Sequence, residues 1–321
     1  MKVLVVGGAG YIGSQTVYEL LRANHEVVVL DNLSTGERSF IPKTVQFIHG
    51  DIRVKQDLVK VFASHKFDCV MHFAAKLIVP ESMVEPLEYY HNNVEGVRLL
   101  LETMNEYQVK NFVFSSTAAV YGEIEGGVCR EDSPTNPINP YGESKLACEK
   151  LIKWAGLAHG INYVIFRYFN VAGADESLEI GLKKDQITHL IPAAIQAALK
   201  IRSELTIFGL DYPTKDGSCI RDYIHVADLA QAHILGANYL YQGGQSEIFN
   251  LGSAMGYSVL EVKTVVEKII PLKAVIGLRR AGDPPLLIAD TTKVKEILGF
   301  EPKLNLEVMI TSDLAYRKKF I

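Results

Sequence analysis

Tyr141 and Lys145 stand four residues apart in Tyr141-Gly142-Glu143-Ser144-Lys145, so on a helix the phenol and the ammonium lie one above the other. With 15 tyrosines in 321 residues, about one such pair is expected by chance, so the spacing alone carries no weight. Position gives it meaning. The pair opens a helix candidate after a strand that ends in Phe114-Ser115-Ser116-Thr117, and hydroxyls at a strand's carboxyl end can converge with it on one reacting group. The chemistry this set suits is hydride removal from a secondary alcohol, which needs a base for the hydroxyl proton. A phenol of pKa about 10 is too protonated at neutral pH, and a neighbouring ammonium favours the phenolate. Thr117 would hold the same substrate oxygen in place. The bland alternative is a helix start with an incidental pair.

A second chemical feature lies near the start. Gly7-Gly8-Ala9-Gly10-Tyr11-Ile12-Gly13 follows a strand-like run and opens a helix candidate. Glycines let the backbone approach a pyrophosphate, and a helix N-terminus offers free N–H groups to the anion. Asp31 ends the next strand, where a carboxylate accepts hydrogen bonds from a ribose diol and repels a 2′-phosphate, which favours NAD over NADP. After the third strand, Asp51-Ile52 suits adenine, although Asp51 serves equally well as a helix cap. Phe73-Ala74-Ala75 after the fourth strand offers small residues where a cofactor passes closely, or simply good packing at a sheet end.

The elements that must position these groups alternate. Val3–Val6, Glu26–Leu30, Val45–His49, Cys69–His72, Asn111–Ser115 and Tyr163–Arg167 read as strands. Between them Tyr11–Ala23, Lys55–Ser64, Pro86–Tyr107 and Tyr141–His159 read as helices. This predicts an α/β fold: a Rossmann-type doubly wound parallel sheet, with a smaller mixed α/β substrate domain. The expected division is 1–169 plus 219–252 for the NAD-binding domain and 170–218 plus 253–321 for the other, interwoven. Further helices are expected at Ile187–Ile201, Val226–Tyr241, Ser258–Ile269, Thr291–Leu298 and Leu306–Lys319. A net charge of −4 gives no basic footprint for nucleic acid. No uncharged apolar run reaches the ~18 residues of a membrane span. Cys69, Cys129, Cys148 and Cys219 lie far apart without metal-ligand spacing, so no metal is expected. The apolar start stops at Gly7, too soon for a signal peptide, and the expected location is cytoplasmic.

Longer stretches narrow the reading: Asp31-Asn32-Leu33-Ser34, Tyr89-Tyr90-His91-Asn92-Asn93-Val94, Arg167-Tyr168-Phe169-Asn170, Arg221-Asp222-Tyr223-Ile224-His225-Val226 and Asn250-Leu251-Gly252. With the glycine motif and the Tyr/Lys pair, these resemble the UDP-glucose 4-epimerase (UDP-galactose 4-epimerase) family of the extended short-chain dehydrogenase/reductase superfamily, over essentially the whole chain. The resemblance implies inversion of C4 of a UDP-sugar through a transient 4-keto sugar, with NAD bound throughout. It makes Tyr141 the acid/base, Lys145 the group on the nicotinamide ribose, and Thr117 the Ser/Thr partner. It puts Gly7, Gly10, Tyr11, Ile12, Gly13, the run Asp31, Asn32, Leu33, Ser34, Thr35 and Gly36, then Asp51, Ile52, Phe73, Ala74, Ala75, Lys76, Asn92, Ser115, Tyr168 and Phe169 against NAD. It puts Asn170, Leu190, Arg221, Tyr223, Arg280, Asp283 and Leu287 around the UDP-sugar; guanidinium groups match phosphate oxygens. Members are commonly homodimers packed through two helices, here Pro86–Tyr107 and Tyr141–His159.

Two departures carry consequences. The family often has a cofactor-facing lysine four residues after the phenylalanine matching Phe73; here that position is Leu77, and Lys76 precedes it. Where tyrosine is typical of enzymes restricted to unacetylated sugars, this chain has Leu287, which leaves room for a 2-acetamido group. Three other readings stand beside the epimerase. A 4,6-dehydratase needs an acid/base pair after the threonine, where this chain has Ala118-Ala119. A UDP-glucuronate 4-epimerase shares the motifs. A non-catalytic NAD-binding sensor would have no need of Thr117, Tyr141 and Lys145 together.

Overall fold

Short β-branched runs become strands here because helices cover both faces of the sheet they form, so neither face needs to be polar. The computed structural model describes residues 1–182, 189–279 and 284–321. In chain order the strands are β1 (Lys2–Val6), β2 (Glu26–Asp31), β3 (Gln46–His49), β4 (Cys69–His72), β5 (Asn111–Thr117), β6 (Val128–Cys129), β7 (Asn162–Tyr168) and β8 (Asn170–Ala172). They continue as β9 (Leu205–Phe208), β10 (Ile220–Arg221), β11 (Tyr223–His225), β12 (Glu247–Leu251), β13 (Tyr257–Ser258), β14 (Ala274–Gly277) and β15 (Leu286–Ala289). The helices are α1 (Tyr11–Arg22), α2 (Lys55–Ser64), α3 (Val79–Val84), α4 (Pro86–Tyr89), α5 (Gly96–Glu106) and α6 (Pro140–His159). They continue as α7 (Leu190–Ala198), α8 (Val226–Tyr241), α9 (Val259–Ile269), α10 (Thr292–Leu298) and α11 (Leu306–Lys318).

The chain divides into two units, one of 1–122, 135–167 and 230–249, the other of 123–134, 168–229 and 250–321. The first is built on a seven-stranded sheet of order β12-β7-β5-β4-β1-β2-β3. Strands β1 to β5 pair in parallel, with Val6 beside Leu30 on one side and His72 on the other. The order reverses between β1 and β4, the switch point where doubly wound sheets bind ligands beyond the strands' carboxyl ends. Its core joins Leu4, Val28 and Phe112 of the sheet to Phe62, Leu100 and Ile152 of the helices.

The second unit has a four-stranded sheet, β13-β10-β15-β6, and two strand pairs, β11 with β8 and β14 with β9. Its own core gathers Ala194, Ile207, Val262, Met309 and Ile310. α9 starts from a capping box, Ser258 bonding the Glu261 N–H and Glu261 reaching back.

One element differs from its sequence pattern. The helix expected over Pro86–Tyr107 is broken by a π-helical turn, Tyr90–Glu95, between α4 and α5. Such a turn leaves the apolar repeat readable on either side, so periodicity does not reveal it.

Candidate active site

In the first unit, β1 ends at Val6 and the chain turns on Gly7, whose φ of +76° is a left-handed conformation suited to glycine. A Cβ on Gly7 would lie 2.4 Å from the Ala74 nitrogen, so the loops after β1 and β4 touch across the switch point. A Cβ on Gly13 would lie 2.3 Å from the Gly7 carbonyl oxygen. α1 begins at Tyr11 with Gly10 as its N-cap and no side chain capping it, so the first-turn N–H groups remain for an anion. Asp31 is 8% exposed; its Oδ2 accepts the Ala9 N–H at 2.9 Å and its Oδ1 the Leu33 N–H at 2.8 Å. Burial lifts its carboxyl above the usual range, and those two N–H bonds draw it back. The loop carrying Ser34, Thr35 and Gly36 returns to the glycine turn, where Glu37 N–H meets the Ala9 carbonyl at 2.9 Å. These residues fit a dinucleotide: a bare glycine turn, free helix N–H groups and a fixed carboxylate.

The other expected cofactor residues are placed as follows. Asp51 does not cap α2, whose N-cap is Val54. Its carboxylate takes Arg53 Nε at 3.0 Å and Asn32 Nδ2 at 2.9 Å, and Arg53 holds it far below the ordinary carboxylate range. Ile52 is 5% exposed and lies in the core. Phe73 packs on His233, ring centroids 4.8 Å apart. Lys76 turns its ammonium to Glu81 at 2.9 Å. Asn92 bonds Asn93 at 3.0 Å.

At the carboxyl end of β5 the reactive groups meet. Asn139 caps α6 through the Gly142 N–H at 2.9 Å and Pro140 occupies the first turn, which fixes where Tyr141 falls. The Thr117 hydroxyl hydrogen-bonds the Tyr141 phenol. Burial pushes that phenol up and the Thr117 bond lowers it. Lys145 is 3% exposed, donates to the Ser115 carbonyl at 2.7 Å and lies 4.7 Å over the Phe114 ring. Burial lowers its ammonium to about 8, with Cys148 and Glu149 pulling the other way. One of its three N–H donors is thus spent on β5. The Ser115 hydroxyl faces His233 Nε2 at 3.2 Å.

Residues beyond the expected set complete this frame. Asn93, 1% exposed, accepts the Lys76 N–H at 2.9 Å and donates to Ser144 Oγ at 3.0 Å, which fastens the loop after β4 to α6. The Tyr141 ring meets Tyr89 edge to face at 6.4 Å. Glu149 forms a buried pair with Arg167 at 2.6 Å. The adjacent asparagines of Tyr89-Tyr90-His91-Asn92-Asn93 were visible, but nothing in the spacing says which one is buried.

A family model described as the NAD dependent epimerase/dehydratase family matches residues 3–252. This chain belongs to that family. A UDP-glucose 4-epimerase of Lacticaseibacillus casei is 51% identical over 94% of this chain and 92% of its own length. The crystal structure of UDP-glucose 4-epimerase from Brucella ovis in complex with NAD is 41% identical, has a TM-score of 0.95 and covers 98% of each chain. The UDP-Glc/GlcNAc 4-epimerase of Campylobacter jejuni is 42% identical, with a TM-score of 0.88 and 99% of each chain covered.

Within this epimerase/dehydratase chain, the second unit carries most of the residues expected on the substrate. Asn170 on β8 donates Nδ2 to the Asp222 carbonyl at 2.9 Å. Arg221 on β10 bonds the Pro284 carbonyl at 2.8 Å and pairs in register with Leu287 of β15. Tyr223 is 3% exposed, and burial pushes its phenol well up. Leu190 opens α7, Phe169 N–H bonds the Leu251 carbonyl at 3.1 Å, and Tyr168 closes β7. Asp222 organises this group: its carboxylate accepts Ser253 N–H at 2.7 Å, Ala254 N–H at 3.0 Å and Ala289 N–H at 3.1 Å. Arg280 and Asp283 lie outside the described residues. No metal-binding cluster exists among the described residues, and no helix there is long and apolar enough to cross a membrane.

Proposed function

We propose that this chain interconverts UDP-glucose and UDP-galactose by inverting C4 through a transient 4-keto sugar. The observation that carries this is the Thr117–Tyr141 bond beside buried Lys145, in a chain half identical to a UDP-glucose 4-epimerase over nearly all its length. NAD, when bound, would supply the acceptor for the C4 hydride and the source of its return. Gly7, Gly10 and Gly13 would receive its pyrophosphate against the N–H groups of α1, and Asp31 would take its ribose diol. Tyr141 takes the proton of the 4-hydroxyl and gives it back to the inverted carbon's oxygen. Lys145 supplies the positive charge that favours the phenolate, and Thr117 supplies a hydrogen bond to it. Asn170, Arg221 and Tyr223 hold the UDP group. That anchoring must be firm and the grip on the hexose loose, because the keto sugar has to present both faces. The dehydratase chemistry lacks its acid/base pair at Ala118-Ala119.

The chain works as a cytoplasmic homodimer. All four cysteines are buried thiols, as in a reducing compartment. Trp154 and Leu157 on α6 are 70% and 80% exposed, an apolar surface that a second copy would cover, and sedimentation tests it.

The decisive assay supplies UDP-galactose without added NAD and follows UDP-glucose. Tyr141→Phe should lower kcat by about a thousandfold and keep bound NAD. Full turnover in that variant would overturn the reading.

A further inference from the structure

Three consecutive residues of β5 grip three successive turns of α6. Thr117 bonds Tyr141, the Ser115 carbonyl takes the Lys145 ammonium at 2.7 Å, and the Ser116 hydroxyl donates to Glu149 Oε1 at 2.6 Å. Tyr141, Lys145 and Glu149 are thus i, i+4 and i+8 on one helix face. Glu149 is wholly buried, and Arg167 from β7 clamps it, Nε to Oε1 at 3.0 Å and a second nitrogen to Oε2 at 2.6 Å. The Arg167 guanidinium also lies 4.9 Å over the Tyr121 ring. A buried ion pair is a poor way to gain stability, because desolvating both charges offsets their attraction. Its location beside a buried lysine gives it a second use.

We infer that Glu149 is a positioning residue for the Tyr141–Lys145 pair: through Ser116 and Arg167 it seats α6 on the sheet, and its carboxylate, one helical turn from Lys145, supplies the negative charge that balances the buried ammonium. This rests on the reading of Tyr141 as acid/base. The groups around Lys145 leave that task to Glu149. On α6 the Cys148 thiol is pushed up to about 12 by burial and is neutral at pH 7. From β4, His72 is driven down to about 3 by burial and then by Lys145, so it too is neutral. From β5 come the Ser115 carbonyl and the Phe114 ring, which carry no charge. Burial of Tyr141 opposes its ionisation, and Arg167 of β7 is a cation. The carboxylate of Glu149 is the anion that opposes the burial of Lys145.

The test compares the kcat–pH profiles, bound NAD and melting temperatures of Glu149→Gln, the double variant Glu149→Gln with Arg167→Gln, and Tyr141→Phe. Glu149→Gln should lose about tenfold in kcat at pH 7, change KM for UDP-galactose by less than about twofold, and move the alkaline limb down by about one pH unit. The double variant leaves no unpaired buried charge, so it should recover melting temperature yet keep the displaced limb. If it regains the parental kcat and profile, the proposal is wrong and the pair is structural only. Failure of both neutral variants to fold would count against it in the same way. Tyr141→Phe separates the two levels: if it is inactive while the Glu149 variants keep the parental profile, only the role of Glu149 falls. If it remains active, the acid/base reading itself falls.

Discussion

The Thr117 hydroxyl and the Tyr141 phenol share a hydrogen bond, and the charge on the phenol sets its direction. The Thr117 oxygen accepts the Ala119 N–H at 3.1 Å, and once Tyr141 is ionised the Thr117 proton is the one left to join the two oxygens. A donated hydrogen bond stabilises the phenolate more than the phenol, so it pulls towards the reactive form what burial pushes away. Thr117→Val keeps the shape and removes the donor. Its kcat should fall by about 10- to 100-fold, the equivalent of a hydrogen bond to a charged group of about 1.5–3 kcal/mol, while Thr117→Ser stays within about threefold. The acid limb of the kcat profile should move to higher pH in the valine variant. Unchanged kcat and limb would show that the bond is idle.

Gly13 and Gly160 separate a cofactor role from mere backbone freedom. A Cβ at Gly13 would sit 2.3 Å from the Gly7 oxygen and 2.9 Å from the Gly8 Cα, backbone atoms that cannot swing aside. Gly13→Ala should therefore lose about tenfold or more in NAD affinity, read by fluorescence titration, together with stability. Gly160 closes α6 at φ +65° with nothing within 4 Å of its missing Cβ. Gly160→Ala should cost about 1 kcal/mol in urea unfolding and leave NAD affinity alone. Equal NAD losses in both variants would argue against the glycine turn as the pyrophosphate seat.

Much of this was legible because the chemistry sits where the chain changes element. The strand ends that matter could be read from the apolar runs Val3–Val6 and Cys69–His72 with Gly7 and Phe73 after them, while the strand order that makes them neighbours could not. Thr117, Tyr141 and Lys145 could be grouped because helical spacing and strand ends fix directions as well as positions. What stayed hidden depends on tertiary partners. Glu149 and Arg167 stand on different elements, and nothing in the sequence pairs them until the fold buries them against each other. Lys76 next to Leu77 left its direction open, and the structure turns it to Glu81. The two-residue strands β6, β10 and β13 are too short to show any period and exist only because their neighbours supply the ladder.

His72 gives the first unit a pH-dependent stability. Among the described residues neither ring nitrogen finds a hydrogen-bond partner, and its ring packs on Phe112 and Phe114. Burial, then the Lys145 charge, drives it down to about 3. The unfolded histidine titrates near 6.5, so between those values the unfolded chain binds a proton that the folded chain refuses. Its contribution is complete above about pH 6.5 and drains away as pH falls towards 3. His72→Leu loses no hydrogen bond and removes this uptake. Its urea-unfolding free energy should fall less than the parent's between pH 6.5 and 5, by about 1–2 kcal/mol. Parallel curves for the two proteins would show that His72 is protonated in the fold.

The resemblance makes Leu287 the place to read substrate range. It sits on β15 in register with Arg221, and its carbonyl accepts the Asp222 N–H at 3.1 Å, so its backbone is fixed by the same residues proposed to hold UDP. Changing the side chain should therefore alter pocket volume without moving the anchor. A leucine leaves room that a tyrosine ring would fill, and the chain should epimerise UDP-N-acetylgalactosamine as well as UDP-galactose. Leu287→Tyr should lower kcat/KM for the acetylated sugar by about 10- to 100-fold, the range that a steric clash in a closed pocket produces, and change that for UDP-galactose by less than about threefold. Measuring both substrates on both proteins checks this. If the parent leaves UDP-N-acetylgalactosamine untouched, something other than residue 287 bounds the pocket; if the tyrosine variant accepts both sugars equally, the side chain points away from the acetamido group.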